Sequence, residues 1–264
     1  MQIGFFDSGI GGITVLHDAI KLLPKEDYIY YADTANVPYG PKPKEEVRKY
    51  IFQAMEFIIR QQVKAVVIAC NTATSVAIEA LRSTYNIPII GMEPAVKPAV
   101  EQNRHGNKRV LVTATALTLK EEKLKNLITR LDNEHIVDLL PLPGLVQFAE
   151  SFEFNEGVVL PYLKEQLSTY EVNNYEAIVL GCTHFSFYKD MFRKLLPPGT
   201  SIIDGNRGTV NNLKRTLGER NALNEGRGNI MFYHSGCRVT DTAKLAQYRR
   251  LFKRLEAINA VHSL

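Results

Sequence analysis

Cysteine is scarce in this chain, with three residues in 264, at positions 70, 182 and 237. So few thiols exclude a disulfide framework. There is no C-x-x-C and no H-x-x-x-H, so the clustered ligands of a zinc site are missing and no metal is expected. No apolar run approaches the ~20 residues needed to span a bilayer, and no membrane partner is expected. The opening MQIGFFDSG has no basic n-region and no long apolar core, so it does not read as a secretory leader. Few thiols and no leader make a reducing cytosol the expected compartment, and the protein is expected to be cytoplasmic. The glycines of FFDSGIGG do not keep the spacing G-x-G-x-x-G, and no G-K-[ST] follows. That argues against a dinucleotide site or a P-loop.

What is present points to an ordinary globular protein, 45% apolar and 23% charged. The length suits one large domain or two of common size, and it can bury most of its apolar surface without staples. Short apolar runs recur: IGFF (3–6), YIYYA (28–32), AVVIA (65–69), IPIIG (87–91), RVLVT (109–113), IVDLL (136–140), AIVLG (177–181), SIID (201–204) and NIMFY (229–233). They are apolar throughout rather than alternating, which fits parallel strands covered on both faces. Helical spacing lies between them, as at Ile13, Leu16, Ile20 and Leu23, and again at Leu245, Tyr248, Phe252 and Leu255. The alternation predicts an α/β protein with mostly parallel sheets.

A faint internal repeat sharpens this. KAVVIACNTA (64–73) lies over EAIVLGCTHF (176–185) at an offset of 112, and IGFFDSG (3–9) lies more weakly over VLVTATA (110–116). Two similar Rossmann-like half-domains follow, with ligands expected in the cleft outside the carboxyl ends of the strands. Cys70 and Cys182 both end such strands, so they can face each other across one cleft. The net charge of +4 is uneven. From Arg207 to Leu264 eleven Lys/Arg stand against four Asp/Glu, which is +7, and the rest of the chain carries −3. The basic stretch RRLFKR (249–254) has apolar residues at helical spacing. It reads as a docked helix with a solvated basic face, and no nucleic-acid partner is expected.

A lone cysteine at a strand end is most often a small buried hydrophobe. Two in matching contexts ask for a common role. Each is expected just before a helix N-terminus, where the dipole favours a thiolate. Short polar groups follow each thiol, Asn71 and Thr72 after the first, Thr183 and His184 after the second. They can hold a small zwitterion. His184, alone, reads as a structural histidine; beside a thiol it can poise the sulfur. Asp7 and Ser8 end the first strand before a glycine turn into a helix, whose N–H groups suit a carboxylate; Asp7 also reads as a helix cap. Tyr39 and Gly40, in PYG, read as a turn. Two facing acid/base groups of similar strength, a carboxylate cradle and no cofactor suit inversion at a carbon bearing a hydrogen. One thiolate takes the proton and the opposite thiol returns one to the other face, which suits thiols whose acidity is tuned toward neutrality.

DSGIGG (7–12), ADTANVPYG (32–40), ACNTAT (69–74), LVQFAE (145–150) and GCTH (181–184) resemble the cofactor-independent glutamate racemases, in the family's order. ACNTAT with GCTH marks the wider aspartate/glutamate racemase superfamily; DSGIGG and PYG narrow it, and the aspartate branch usually has His where Thr74 stands. The resemblance implies Cys70 as the base acting on D-glutamate and Cys182 as the base acting on L-glutamate. It implies that Asp7 and His184 assist the two thiols respectively. Asp7, Ser8, Tyr39, Gly40, Asn71, Thr72, Thr183 and His184 would bind the substrate, and Glu150 matches a family acid near the second thiol. It also implies a homodimer, no cofactor, and D-glutamate made for peptidoglycan.

The chain departs from the common pattern at Glu93, at Phe185-Ser186 after GCTH, and in TATALTLKEEK (113–123). It begins at its first strand without the extension of members activated by a cell-wall precursor, so no such activation is expected. The half-domains are expected at 1–97 with 208–264, carrying Asp7 and Cys70, and at 98–207, carrying Cys182 and His184. Cys237 has no strand-end motif and reads as structural. Two other readings stay open: a racemase of another acidic amino acid such as aspartate, and a non-catalytic amino-acid-binding protein. The paired cysteines argue against the second.

Overall fold

The computed structural model describes residues 1–92, 94–102, 108–132 and 134–261; Glu93 lies outside them. Two sheets organise the chain. The first is built from β1 (Ile3–Asp7), β2 (Tyr28–Ala32), β3 (Ala65–Ile68), β4 (Ile89–Gly91), β9 (Ile230–His234) and β10 (Cys237–Arg238), in the order β10-β9-β2-β1-β3-β4. The second is built from β5 (Arg109–Ala114), β6 (Val137–Pro141), β7 (Tyr175–Gly181) and β8 (Ser201–Asp204), in the order β6-β5-β7-β8. Among the described residues every pairing is parallel except β9–β10. This is the α/β architecture that the run pattern predicts.

The internal repeat is a repeat of topology. β2-β1-β3-β4 and β6-β5-β7-β8 follow the same path, with β3 and β7 as the equivalent strands before the two cysteines. Central strands β1, β2 and β3 are buried at every residue because helices cover both faces. The edge strand β6 is only partly covered, and Leu139 on it is 38% exposed.

Helices α1 (Ile13–Leu22), α2 (Lys44–Arg60), α3 (Asn71–Thr84) and α4 (Val96–Gln102) fill the crossovers of the first sheet and the passage to the second. α5 (Ala116–Lys120), α6 (Glu122–Leu131), α7 (Pro143–Glu150), α8 (Glu156–Leu167) and α9 (Lys189–Leu195) do the same for the second. After β8 come α10 (Asn206–Glu219), β9, β10 and α11 (Thr242–Val261). β9 lies beside β2, and α10 and α11 pack on α1. On α11 Tyr248, Leu251, Leu255 and Ile258 are buried while Arg249, Arg250 and Lys253 face out. None of the described helices is long and apolar enough to cross a membrane.

Two local features differ from the sequence reading. β10 was not anticipated: it is two residues long and pairs antiparallel with β9 through the turn Ser235-Gly236. Both turn residues have positive φ, +43° and +89°, as a two-residue hairpin with the strands' own twist requires. Cys237 sits on this hairpin and is exposed, so it is not part of the packed core.

Candidate active site

The parallel strands end on the same side of each sheet, and that is where the polar residues gather. β3 ends at Ile68, and Cys70 follows as the N-cap of α3. β7 ends at Gly181, and Cys182 precedes a 3-10 helix, Thr183–Tyr188, rather than the α-helix expected. Both thiols line one cavity of about 130 Å³. At about 30 Å³ of liquid volume per water, that is room for a few waters or one small molecule. A larger cleft of about 320 Å³ lies between α3 and α6, but it contains no thiol. The chemistry-bearing side chains converge on the smaller cavity, and it is the candidate site.

Cys70 is 5% exposed. Its sulfur accepts the Ala73 N–H at 3.4 Å and donates to Ser8 Oγ at 3.7 Å. Burial, and then the negative charge of Asp7, push the thiol up to about 12, against the Ala73 N–H. The N-terminal dipole of α3 therefore does not outweigh burial and the Asp7 charge, and the Cys70 thiol stands above the near-neutral acidity expected. An incoming positive charge would reverse the balance.

Asp7 is fully buried and does not line the cavity. It accepts the Gly9 N–H at 3.0 Å and the Thr183 hydroxyl at 3.1 Å. Burial raises its pKa to about 6, opposed by the charge on His184 and by the Gly9 N–H. It acts on Cys70 through charge rather than through a hydrogen bond. The raised value has a sign for stability. The folded state binds the Asp7 proton more tightly than the unfolded chain, so this contribution is present below about pH 4 and is lost as pH rises through about 6. At 1.36 kcal/mol per unit the loss is on the order of 3 kcal/mol. Asp7→Asn is expected to gain stability over the parent by that order as pH rises from 4 to 7. Urea unfolding at both pH values checks it; an equal difference at the two would contradict it.

The second thiol is built differently. Cys182 Sγ lies 3.6 Å from His184 Nδ1, and His184 Nε2 lies 2.6 Å from Glu150 Oε1. The same carboxylate oxygen accepts the Ile10 N–H at 2.8 Å, so α7 of one half holds the glycine turn of the other. Burial opposes a charged His184, but its hydrogen bonds to Cys182 and Glu150 and their charges win and hold it well above the ordinary range. His184 therefore favours its charged form beside Cys182, whereas the charge acting on Cys70 is that of Asp7.

Of the remaining anticipated residues, Ser8, Tyr39, Gly40, Asn71, Thr72 and Thr183 all line the cavity with His184. The first N–H groups of α3, those of Asn71 and Thr72, have no intrahelical partners by helix geometry and form an anion site. The buried Asn71 Oδ1 has no hydrogen-bond partner among the described residues and can accept from an ammonium. Tyr39 is the exception. Its ring is buried near Phe6 and stacks on Tyr50, and its hydroxyl donates to Asp33 at 2.6 Å, so that donor is committed within the protein.

Sequence reasoning missed Thr115, Val146 and Gln147, which also line the cavity. Thr115 N-caps α5 and joins Thr72 and Thr118 in a ring of three hydroxyls, 2.9–3.0 Å apart. Its signal was the threonine-rich stretch at 113–123, which shows no pattern until α3 is placed against it. Among the described residues no group of three or more His, Cys, Asp or Glu is placed to hold a metal ion.

The profile of the Asp/Glu/Hydantoin racemase family matches residues 14–213. The chain is 54% identical over 262 residues to glutamate racemase 2 of Bacillus subtilis (strain 168), covering 99% of each chain. It is 56% identical over 257 residues to the glutamate racemase of Halothermothrix orenii, covering 97% of this chain and 100% of that one. A crystal structure of glutamate racemase from Francisella tularensis in complex with D-glutamate matches with a TM-score of 0.78 at 31% identity, over 96% of this chain and 92% of that one.

Proposed function

The chain belongs to the Asp/Glu/Hydantoin racemase family, and we infer that it interconverts L- and D-glutamate with its two buried thiols. The observation that carries the mechanism is that Cys70 and Cys182, from equivalent strand ends of two sheets, line one small cavity. The α-carbon must sit between the sulfurs. Its carboxylate then meets the N–H groups of Asn71 and Thr72 and the start of the 3-10 helix at Thr183. Its ammonium meets Asn71 Oδ1 and the Ser8 hydroxyl, and it feels the Asp7 charge behind the cavity wall. The ammonium offsets the Asp7 charge that holds Cys70 protonated.

For D-glutamate, a Cys70 thiolate takes the α-proton and its electron pair passes into the α-carboxylate. Helix-end N–H groups stabilise the charge that develops there. The Cys182 thiol then gives its proton to the opposite face, and L-glutamate leaves with Cys70 as thiol and Cys182 as thiolate. L-glutamate runs the reverse. His184, held by Glu150, favours a positive charge beside the second sulfur and so supports it when its proton has left.

The role extends to supply of D-glutamate for peptidoglycan, in the cytoplasm, by a homodimer, with half-domains at 1–97 plus 208–264 and at 98–207. An assay from either pure enantiomer, with no cofactor added, tests the activity. Circular dichroism of the solution should fall to zero from both sides. A signal that stays constant with folded, reduced protein contradicts the assignment.

Both thiols are nearly closed from solvent, so substrate entry must part the two halves at the cavity mouth. Lys44 Nζ, at the start of α2, and Glu121 Oε2, just before α6, pair at 2.6 Å between elements of the two sheets, with Lys44 half exposed and Glu121 buried. With one partner half exposed, the pair is worth about 1 kcal/mol. Lys44→Ala is expected to raise KM by about five-fold at most, and to remove part of the salt dependence of KM in the parent. Steady-state kinetics at low and high salt check it; an unchanged salt dependence would count against a clasp.

A further inference from the structure

Asp33 belongs to a quoted motif, ADTANVPYG, yet the mechanism above does not use it. It is 3% exposed and does not line the cavity. Its carboxylate accepts from Tyr39 Oη at 2.6 Å, from Ser235 Oγ at 2.9 Å and from Asn36 Nδ2 at 3.0 Å. Its own N–H donates to the carbonyl of Asp7 at 3.0 Å. The buried carboxylate therefore ties the loop at 38–41 to the β9–β10 turn, while the Asp33 backbone anchors it to the end of β1 that carries Asp7 and Ser8. Ser235 is itself held there, with φ +43°, its N–H on Ala32 O and its hydroxyl accepting the Ala35 N–H.

The loop at 38–41 is one wall of the cavity. The helix ends beside the two thiols take the α-carboxylate, so the second carboxylate of an acidic amino acid is left to this wall and to Thr115 facing it. The approach there is close. A Cβ on Gly40 would stand 3.0 Å from Thr115 Cβ. Because the Tyr39 hydroxyl donates to Asp33, the position of the wall is tied to that carboxylate, and the wall moves only when the loop moves.

We propose that Asp33 is a positioning residue that, through Tyr39 and Ser235, sets the reach of the 38–41 wall and thereby the preference for a five-carbon over a four-carbon acidic amino acid. The inference rests on the glutamate reading. A four-carbon acid anchored between the thiols leaves its second carboxylate one bond short of the wall, and a buried charged group without partners is rejected strongly. Tyr39 stays a donor at working pH, since burial and then the Asp33 charge raise it above the ordinary tyrosine range.

The test measures kcat and KM for both glutamate enantiomers, and α-proton exchange with aspartate, in Asp33→Ala, Tyr39→Phe and the double variant. Asp33→Ala is expected to raise KM about ten-fold or more, the scale of one hydrogen bond to a charged group, with kcat reduced about three-fold or less. The glutamate-to-aspartate ratio of kcat/KM should fall by about ten-fold. Tyr39→Phe should move KM the same way, and the double variant should be no worse than Asp33→Ala. A fall in kcat with KM unchanged, or single effects that multiply, would overturn the proposal. If Asp33→Ala does not fold, Tyr39→Phe decides alone: unchanged KM and unchanged selectivity overturn it. The parent protein separates the two claims. No exchange of glutamate by the parent would overturn the racemase reading, whereas exchange by the parent with unaltered variants overturns only the role of Asp33.

Discussion

Cys70→Ser and Cys182→Ser each lower racemisation by about a thousandfold or more while the protein keeps its fold. A positioned general base contributes roughly 10²–10⁴-fold, and each turnover needs one thiolate to remove a proton and one thiol to supply it. Serine nearly matches cysteine in shape, so the Ala73 N–H at position 70 keeps an acceptor and the N-cap of α3 survives. The two variants should differ in what remains. With Cys182 intact, Cys70→Ser can still exchange the α-proton of L-glutamate for solvent without inverting it. Cys182→Ser should retain exchange of D-glutamate only. Chiral analysis with proton NMR in deuterated water reads both. Full racemisation in either variant contradicts the two-base mechanism.

Gly11→Ala comes next in size. A methyl group there would stand 2.3 Å from Thr183 Oγ1 and 2.5 Å from His184 Nδ1. Neither neighbour can step aside freely. The Thr183 hydroxyl donates to Asp7, and His184 is held between Cys182 and Glu150. The glycine turn is thus a fitted surface, with the second thiol's apparatus pressed against it. Gly9 meets the same limit, since its Cβ would fall 1.8 Å from Glu150 Oε1. A shift of about 1 Å in a catalytic group can cost about a hundredfold, and a loss of that order in kcat/KM is expected for Gly11→Ala. Kinetics with a thermal melt check it. Activity within a few-fold of the parent would mean that His184 need not stand where the structure places it.

The strands were legible because parallel strands buried on both faces write themselves as unbroken apolar runs. The repeat at an offset of 112 foretold the equivalence of β3 and β7, and with it the meeting of Cys70 and Cys182. What stayed hidden depends on contacts between segments distant in sequence. Thr115 and Thr118 complete a hydroxyl ring only when α5 meets α3. Asp33 finds Ser235, 202 residues away, only once β9 lies beside β2. The ionisation of Cys70 was misread for a related reason. The helix dipole is a local property visible in sequence, whereas burial and the nearby Asp7 charge are set by the tertiary fold, and they win. β10 escaped because two residues carry no alternation to read.

The measurement closest to the central claim follows L-glutamate in deuterated water during the first few per cent of conversion, with the enantiomers separated before mass analysis. Two opposed thiols predict that the D-glutamate formed carries deuterium at the α-carbon while the remaining L-glutamate keeps its proton, and the mirror result from D-glutamate. Deuterium entering the starting enantiomer as fast as the product would mean that one group serves both faces, and would contradict the account.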